Sequence, residues 1–250
     1  MSREGTLSGK VIIITGSSKG IGRAVALRLA KSGASVVINF SSDQAPADEV
    51  VKEIGSDRAI AVKADVSKVE SIRSLVQQTI QRFERLDSVI FNAGVGIYKG
   101  LAETTEEDFD RCYAINVKGP YFLAQEAAKH LPSDGRLIFF SSSTTALSGI
   151  MPNYLLYTSA KGAVEQMTRI LAKDLGRRGI TVNCISPGPT ATDLFFVGKT
   201  EDSVKFFTNL HPPGRIGQPD DIAGAVNFLL GPEATWVNGQ NIKVNGGLVV

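Results

Sequence analysis

Only two cysteines and two histidines occur among the 250 residues, and their placement excludes more than it offers. Cys112 and Cys184 lie far apart in no pairing motif, so the sequence predicts two reduced, packed thiols in a reducing compartment rather than a disulfide framework. His130 and His211 have no ligand partner at metal spacing, which argues against a histidine-based metal site. No apolar run approaches the ~18 residues that a membrane span needs. The N-terminal stretch MSREGTLSGK lacks the apolar core of a secretory signal, so the expected location is cytoplasmic. Charge of one sign is also scarce: 27 Lys and Arg against 25 Asp and Glu leave a formal net charge of +2, with no block of like charge. Neither nucleic acid nor a membrane surface is an expected partner on that balance. Internal repeats and low-complexity tracts are absent.

What is present is a chain with 43% hydrophobic and 21% charged residues, enough for one large core. Short apolar runs rich in β-branched residues alternate with segments of helical periodicity. KVIIIT (10–15), ASVVINF (34–40), RAIAVKAD (58–65), DSVIFNAG (87–94), RLIFFSS (136–142), ITVNCISPG (180–188) and NIKVNG (241–246) read as strands. Between them, 21–33, 48–55, 69–83, 104–131, 153–179 and 219–231 read as helices, the fourth opening on a threonine and acidic residues suited to an N-cap and first turn. Seven strands alternating with helices predict an α/β fold: a doubly wound parallel sheet in a single domain. The one long irregular segment, about 187–218, has the length of a substrate lid or binding loop.

The first strand runs directly into TGSSKGIG (15–22), with glycines at 16, 20 and 22. Glycine allows the sharp turn and lets a ligand approach the backbone, and the helix that follows offers free N–H groups to a phosphate. In a doubly wound sheet a dinucleotide lies at this turn. The spacing is G-x-x-x-G-x-G rather than the commoner G-x-G-x-x-G, but it sits between a strand and a helix, as such a site requires.

A second stretch, YLLYTSAKGA (154–163), places Tyr157 and Lys161 four apart, on one face of a helix. A tyrosine can simply pack with a lysine snorkelling beside it. The chemical alternative is that the ammonium makes the phenol a better acid, because a neighbouring positive charge favours the phenolate.

TGSSKGIG, NAG (92–94), Asn116, the serines after RLIFF, YTSAK (157–161) and PGPTAT (187–192) occur in one order along the chain. With them the sequence resembles the short-chain dehydrogenase/reductase family over essentially its full length. Within the family, NCISPGPTATDLFFVGKTED (183–202) looks most like NADPH-dependent aldehyde and carbonyl reductases; the chain is also similar to 3-oxoacyl-carrier-protein reductases, though less so in that loop. The resemblance implies a Rossmann-type fold in which Tyr157 is the general acid, Lys161 lowers its pKa and bonds the nicotinamide ribose, and Asn116 holds a water linking Lys161 to solvent. A serine at the end of the fifth strand then supplies a donor to the substrate carbonyl. Ser142 is the choice, but the serine-to-tyrosine spacing exceeds the family pattern and leaves Ser143, and less so Ser141, as rivals.

The same resemblance assigns the cofactor to Gly16, Ser18, Lys19, Gly20, Ile21 and Gly22. Asp65 and Val66 would flank the adenine, and Asn92, Ala93 and Gly94 would lie beside the adenosine ribose. Pro187 and Gly188 would approach the nicotinamide, with Thr190 and Thr192 bonding its amide or the phosphates. An NAD site usually has an acid about twenty residues past the first glycines. Here Asn39, Ser41 and Ser42 occupy that region. A carboxylate at ~4 Å would cost a 2′-phosphate about 4 kcal/mol at an effective dielectric of 20. The neutral side chains, together with the Lys19 cation, predict NADP(H), with Asp43 the residue that would reverse this if it reached the ribose.

The expected substrate is a small-molecule carbonyl compound. Phe195, Phe196, Phe206 and Phe207 could close over a small or medium apolar aldehyde or ketone, or could pack on the lid's own helix or at a subunit contact. Reduction of 3-oxoacyl thioesters, oxidation of secondary alcohols or polyols, and a non-catalytic cofactor sensor are the alternatives. The family is commonly tetrameric, so a homo-oligomer, tetramer or dimer, is expected, and the apolar GGLVV tail suits a subunit interface.

Overall fold

The computed structural model describes residues 6–196 and 199–250. Seven parallel strands form one sheet: β1 (Val11–Ile14), β2 (Ser35–Phe40), β3 (Ala59–Lys63), β4 (Ser88–Phe91), β5 (Arg136–Phe140), β6 (Thr181–Pro187) and β7 (Asn241–Val244). Their order is β3-β2-β1-β4-β5-β6-β7. The chain leaves β1 toward one edge, returns, and from β4 builds toward the other. The connections therefore diverge between the C-terminal ends of β1 and β4, which opens a crevice there.

The central strands are buried on both faces, whereas β7 at one edge is partly exposed, and successive side chains of a central strand serve different cores. Ile12 and Ile14, with Val36 and Ile38, pack on Val25 and Leu29 of α1 (Gly20–Lys31) and Val226 and Leu229 of α9 (Pro219–Leu230). Ile13, Val89, Leu137 and Phe139 pack on the opposite side, against α3 (Val69–Phe83), α5 (Gly119–Ala127) and α6 (Leu155–Gly176). α2 (Ala45–Ile54) covers the edge beside β2 and β3.

Two expectations about helices change. The single helix expected over 104–131 is α4 (Glu106–Tyr113), a five-residue π-helical stretch (Ala114–Lys118) and then α5. Pro120 has no N–H to offer the carbonyl of Asn116, and its ring would crowd it, so the regular ladder cannot run through. The wide turn carries Asn116, and such bulges often mark functional sites. The segment about 187–218 is not wholly irregular either: it contains α7 (Asp193–Phe196) and α8 (Glu201–Leu210). The Thr200 hydroxyl accepts the Ser203 N–H at 3.3 Å, with Glu201 and Asp202 in the first turn. Threonine followed by acids was a legible N-cap signal.

α4 starts in a capping box, with Thr105 Oγ1 accepting the Asp108 N–H and Asp108 accepting the Thr105 N–H. Thr105→Ala is expected to cost about 1 kcal/mol. In a chain of this size that lowers Tm by about 2–4 °C, measurable by thermal denaturation. An unchanged Tm would show that this exposed cap contributes nothing.

Among the described residues no helix is long and apolar enough to cross a membrane, and no group of three or more His, Cys, Asp or Glu could hold a metal. Cys112 and Cys184 are both buried and unpaired.

Candidate active site

A cleft of about 460 Å³ opens at the crevice, and both sequence motifs reach it. At one end lies the glycine turn. Asn92 Nδ2 donates to the carbonyls of Thr15 and Gly16 at 2.9 Å each, and the Ala93 N–H donates to Thr15 Oγ1 at 3.0 Å. These bonds tie the end of β4 to the end of β1. A Cβ on Gly22 would stand 2.5 Å from the Gly16 carbonyl and 2.6 Å from Asn92 Nδ2, so no side chain fits at that position.

α1 then begins without a side-chain cap at Lys19 and without an acid in its first turn, in contrast to the capping boxes of α4 and α9. Its first N–H groups are unpaired by any side chain, and Gly20 and Ile21 line the cleft. An uncapped, carboxylate-free helix N-terminus facing a cleft suits a phosphate. This donor set fits a dinucleotide's pyrophosphate.

The adenosine end departs from expectation in several places. Asn39 borders the cleft, but its amide is consumed inside the protein. Its Oδ1 accepts the Gly16 N–H at 3.2 Å, and its Nδ2 donates toward the carbonyls of Phe40, Val62 and Ala64 at 3.0–3.3 Å. It clasps the turn and leaves no donor for a ribose phosphate. Ser41 and Lys19 line the cleft, whereas Ser18 and Ser42 do not. Asp65 also lies off the cleft wall, while its neighbours Ala64 and Val66 are on it. The Asp65 carboxylate accepts the Ser67 N–H at 2.9 Å, forming a local turn. Partial burial pushes its pKa upward, but the Ser67 bonds and the Lys68 and Lys118 charges hold it below the usual value. Asp43 sits 3.7 Å from the Lys19 ammonium and faces that lysine.

At the other end α6 presents Tyr157 and Lys161 to the cleft. Lys161 is buried, and its Nζ donates to the Phe140 carbonyl at 2.8 Å and lies 5.7 Å from the centre of the Tyr157 ring. A Cβ on Gly94 would lie 2.8 Å from Asn116 Oδ1 and 3.4 Å from Lys161 Nζ, so these three residues meet there. Asn116 stands behind the wall. Its Nδ2 donates to the carbonyls of Val95 at 2.9 Å and Cys112 at 3.0 Å, and its Oδ1 accepts the Val95 N–H at 3.3 Å. The side chain thus ties the π turn to the loop after β4 and fixes that loop.

The three serines after β5 have different partners. Ser141 Oγ donates to Glu165 Oε1 at 2.7 Å, and Ser143 Oγ donates to the Ser186 carbonyl at 3.1 Å. Ser142 Oγ instead accepts from the Thr144 N–H at 3.3 Å and the Thr144 hydroxyl at 3.0 Å. Its own proton is left for the cleft, where it interacts with Tyr157.

Burial pushes the Tyr157 phenol up to about 12, against a lowering by the Ser142 hydrogen bond. Burial brings Lys161 down to about 8. In the protein alone, desolvation of the phenolate is the largest influence on Tyr157 and holds its proton on.

Beyond the reactive end, Pro187, Gly188, Thr190 and Thr192 line the cleft after β6. Thr190 Oγ1 donates to the Gly188 carbonyl at 2.9 Å, and Thr192 Oγ1 accepts the Phe195 N–H at 3.3 Å, capping α7. Of the four phenylalanines, Phe195 and Phe207 face the cleft, whereas Phe196 and Phe206 are exposed. Sequence reasoning missed Tyr98, whose ring packs on Tyr154 at 4.6 Å and Tyr157 at 5.7 Å. An aromatic among glycines just after NAG was its only signal. Leu248 was missed too: the tail expected at a subunit interface sends this residue into the cleft wall.

A family model described as enoyl-(acyl carrier protein) reductase matches residues 16–249. The chain is 43% identical over 258 aligned positions to a hydroxynaphthalene reductase-like protein Arp2 of Metarhizium majus, covering 98% of this chain and 96% of that one. It is 44% identical to a short-chain type dehydrogenase/reductase of Picea abies, covering 97% and 93% respectively. A short-chain dehydrogenase from Burkholderia cenocepacia J2315, solved in complex with NADP, superposes with a TM-score of 0.92 at 34% identity, over 97% of this chain and 99% of that one. With the fold, the glycine turn and the tyrosine–lysine pair in these positions, the chain belongs to the short-chain dehydrogenase/reductase family.

Proposed function

We propose that this protein is an NADPH-dependent reductase of small or medium apolar aldehydes or ketones, with Tyr157 as general acid. The carrying observation is that one cleft joins an uncapped helix N-terminus to Tyr157, Lys161 and a Ser142 hydroxyl turned toward Tyr157. The Burkholderia relative was solved in complex with NADP and the Metarhizium relative is named reductase-like, which supports both the cofactor and the direction. Bound at the glycine turn, NADPH would supply the hydride. Gly16, Gly20, Ile21 and Lys19 would hold its phosphates, Lys161 its nicotinamide ribose, and Gly188 and Thr190 its nicotinamide.

Every other step belongs to this chain. Ser142 donates to the substrate carbonyl oxygen, Tyr157 Oη gives that oxygen its proton as negative charge develops, and Lys161 favours the resulting phenolate. Tyr98, Leu147, Ile150, Phe195 and Phe207 give the substrate end apolar walls. The segment about 187–218, carrying α7 and α8, is the lid in this reading. A carbonyl panel assayed with NADPH and NADH tests the proposal. Turnover of alcohols but not of aldehydes or ketones would overturn it.

Cofactor preference rests on Lys19 once Asn39 is withdrawn. Lys19→Ala is expected to lower kcat/KM for NADPH about 5- to 10-fold, the worth of roughly 1 kcal/mol for an exposed charge contact, and to leave NADH unchanged. Asn39→Asp should instead impair both cofactors and lower Tm, because a carboxylate would face the carbonyls that the amide now bonds. Equal effects of Lys19→Ala on the two cofactors would remove Lys19 from 2′-phosphate recognition.

A further inference from the structure

Tyr157, Lys161 and Glu165 stand at successive four-residue steps of α6, and the mechanism uses only the first two. Glu165 is partly buried, and one of its oxygens collects two hydroxyls from the loop after β5. Ser141 Oγ donates to Glu165 Oε1 at 2.7 Å, and Thr145 Oγ1 donates to the same oxygen at 2.6 Å. These residues bracket Ser142. Thr145 also holds the Ser142 carbonyl, through its N–H at 3.2 Å and its shared hydroxyl at 2.9 Å. The residue before Ser142 and the residue that grips its carbonyl are therefore tied to a single carboxylate on the helix that carries the tyrosine.

We propose that Glu165 is a positioning residue for catalysis, setting Ser142 in register with Tyr157. The proposal rests on the reading of Ser142 as the carbonyl's donor. It also accounts for the lengthened spacing between that serine and Tyr157. Extra residues between β5 and α6 loosen the covalent route from one to the other. The Glu165 bonds replace it with a short route through space, so the loop can vary in length while the serine stays in place. The geometry shapes the variants as well. Both hydroxyls converge on one oxygen, so a glutamine carbonyl at this position can accept both, whereas alanine and the isosteric Thr145→Val remove bonds outright. A misplaced donor loses transition-state stabilisation rather than binding of the cofactor.

The test is a double-mutant cycle on the full-length enzyme, with steady-state kinetics on an aldehyde and NADPH. Glu165→Ala is expected to lower kcat about 10- to 100-fold, a fraction of what losing an oxyanion-type donor costs, with KM for NADPH within about twofold of the parent. Glu165→Gln should stay within about threefold of the parent. In a Ser142→Ala background, Glu165→Ala should cost nothing more, because the group it positions is gone. Thr145→Val should follow the same non-additive pattern and serves if Glu165→Ala fails to fold. Full multiplication of the two effects, or parent-like kcat in both Glu165→Ala and Thr145→Val, overturns the inference. Parent-like kcat in Ser142→Ala alone overturns the underlying reading of the serine, and is told apart by that single variant.

Discussion

Tyr157→Phe is expected to lower kcat for carbonyl reduction by about 10²–10⁴ while leaving NADPH binding in place. The ring keeps its packing against Tyr98, and only the proton donor is removed. At pH 7 the parent phenol is protonated, as the reductive direction requires, because burial holds its pKa up at about 12. A proton-transfer loss of this size corresponds to roughly 3–5 kcal/mol of transition-state stabilisation. NADPH affinity, read by fluorescence titration, should change little, because Lys161 and the glycine turn remain. Turnover within a few-fold of the parent would remove Tyr157 from the acid role. The pH dependence separates the two partners: Lys161 sits near 8, so its ammonium is lost as pH rises through that value while Tyr157 keeps its proton. An alkaline decline near pH 8 that survives Tyr157→Phe in the residual rate would belong to Lys161.

Ser142→Ala is expected to cost about 10²–10³ in kcat, the usual loss for one oxyanion-type donor. Ser143→Ala should cost far less. Each hydroxyl has one proton to give. That of Ser143 is committed to the Ser186 carbonyl and that of Ser141 to Glu165. Ser142 alone of the three accepts from a neighbour, Thr144, and keeps its proton for the cleft. The Ser143 variant instead loses an internal bond to β6, which should appear in Tm before it appears in kcat. The reverse order of kcat effects would move the donor role to Ser143.

Much of the reactive end was legible because its signals are local. The four-residue offset from Tyr157 to Lys161 fixes a shared helix face whatever surrounds them. A glycine turn between a strand and a helix defines a phosphate cradle from backbone geometry alone. The adenosine end was less legible, since a side chain's chemistry says nothing of its direction. Asn39 has the composition of a phosphate donor, yet points into the turn, and one Asp65 oxygen is engaged by the Ser67 N–H. The lid was read as irregular although Thr200 and its acids announced α8, because weak caps in a short segment are outweighed by its glycines and prolines.

By itself, then, the sequence determined the seven strands, their alternation with helices, the place of the glycine turn, and the pairing of Tyr157 with Lys161. These follow from periodicity and from steric rules that act within a few residues. Only the tertiary structure decided which of three adjacent serines turns its hydroxyl to Tyr157, that Glu165 grips the loop beside it, that Tyr98 and Leu248 join the cleft, and that burial raises the phenol's pKa. Each of these depends on groups far apart in the chain competing for the same hydrogen bonds or excluding the same water, and that competition exists only once the sheet has brought them together.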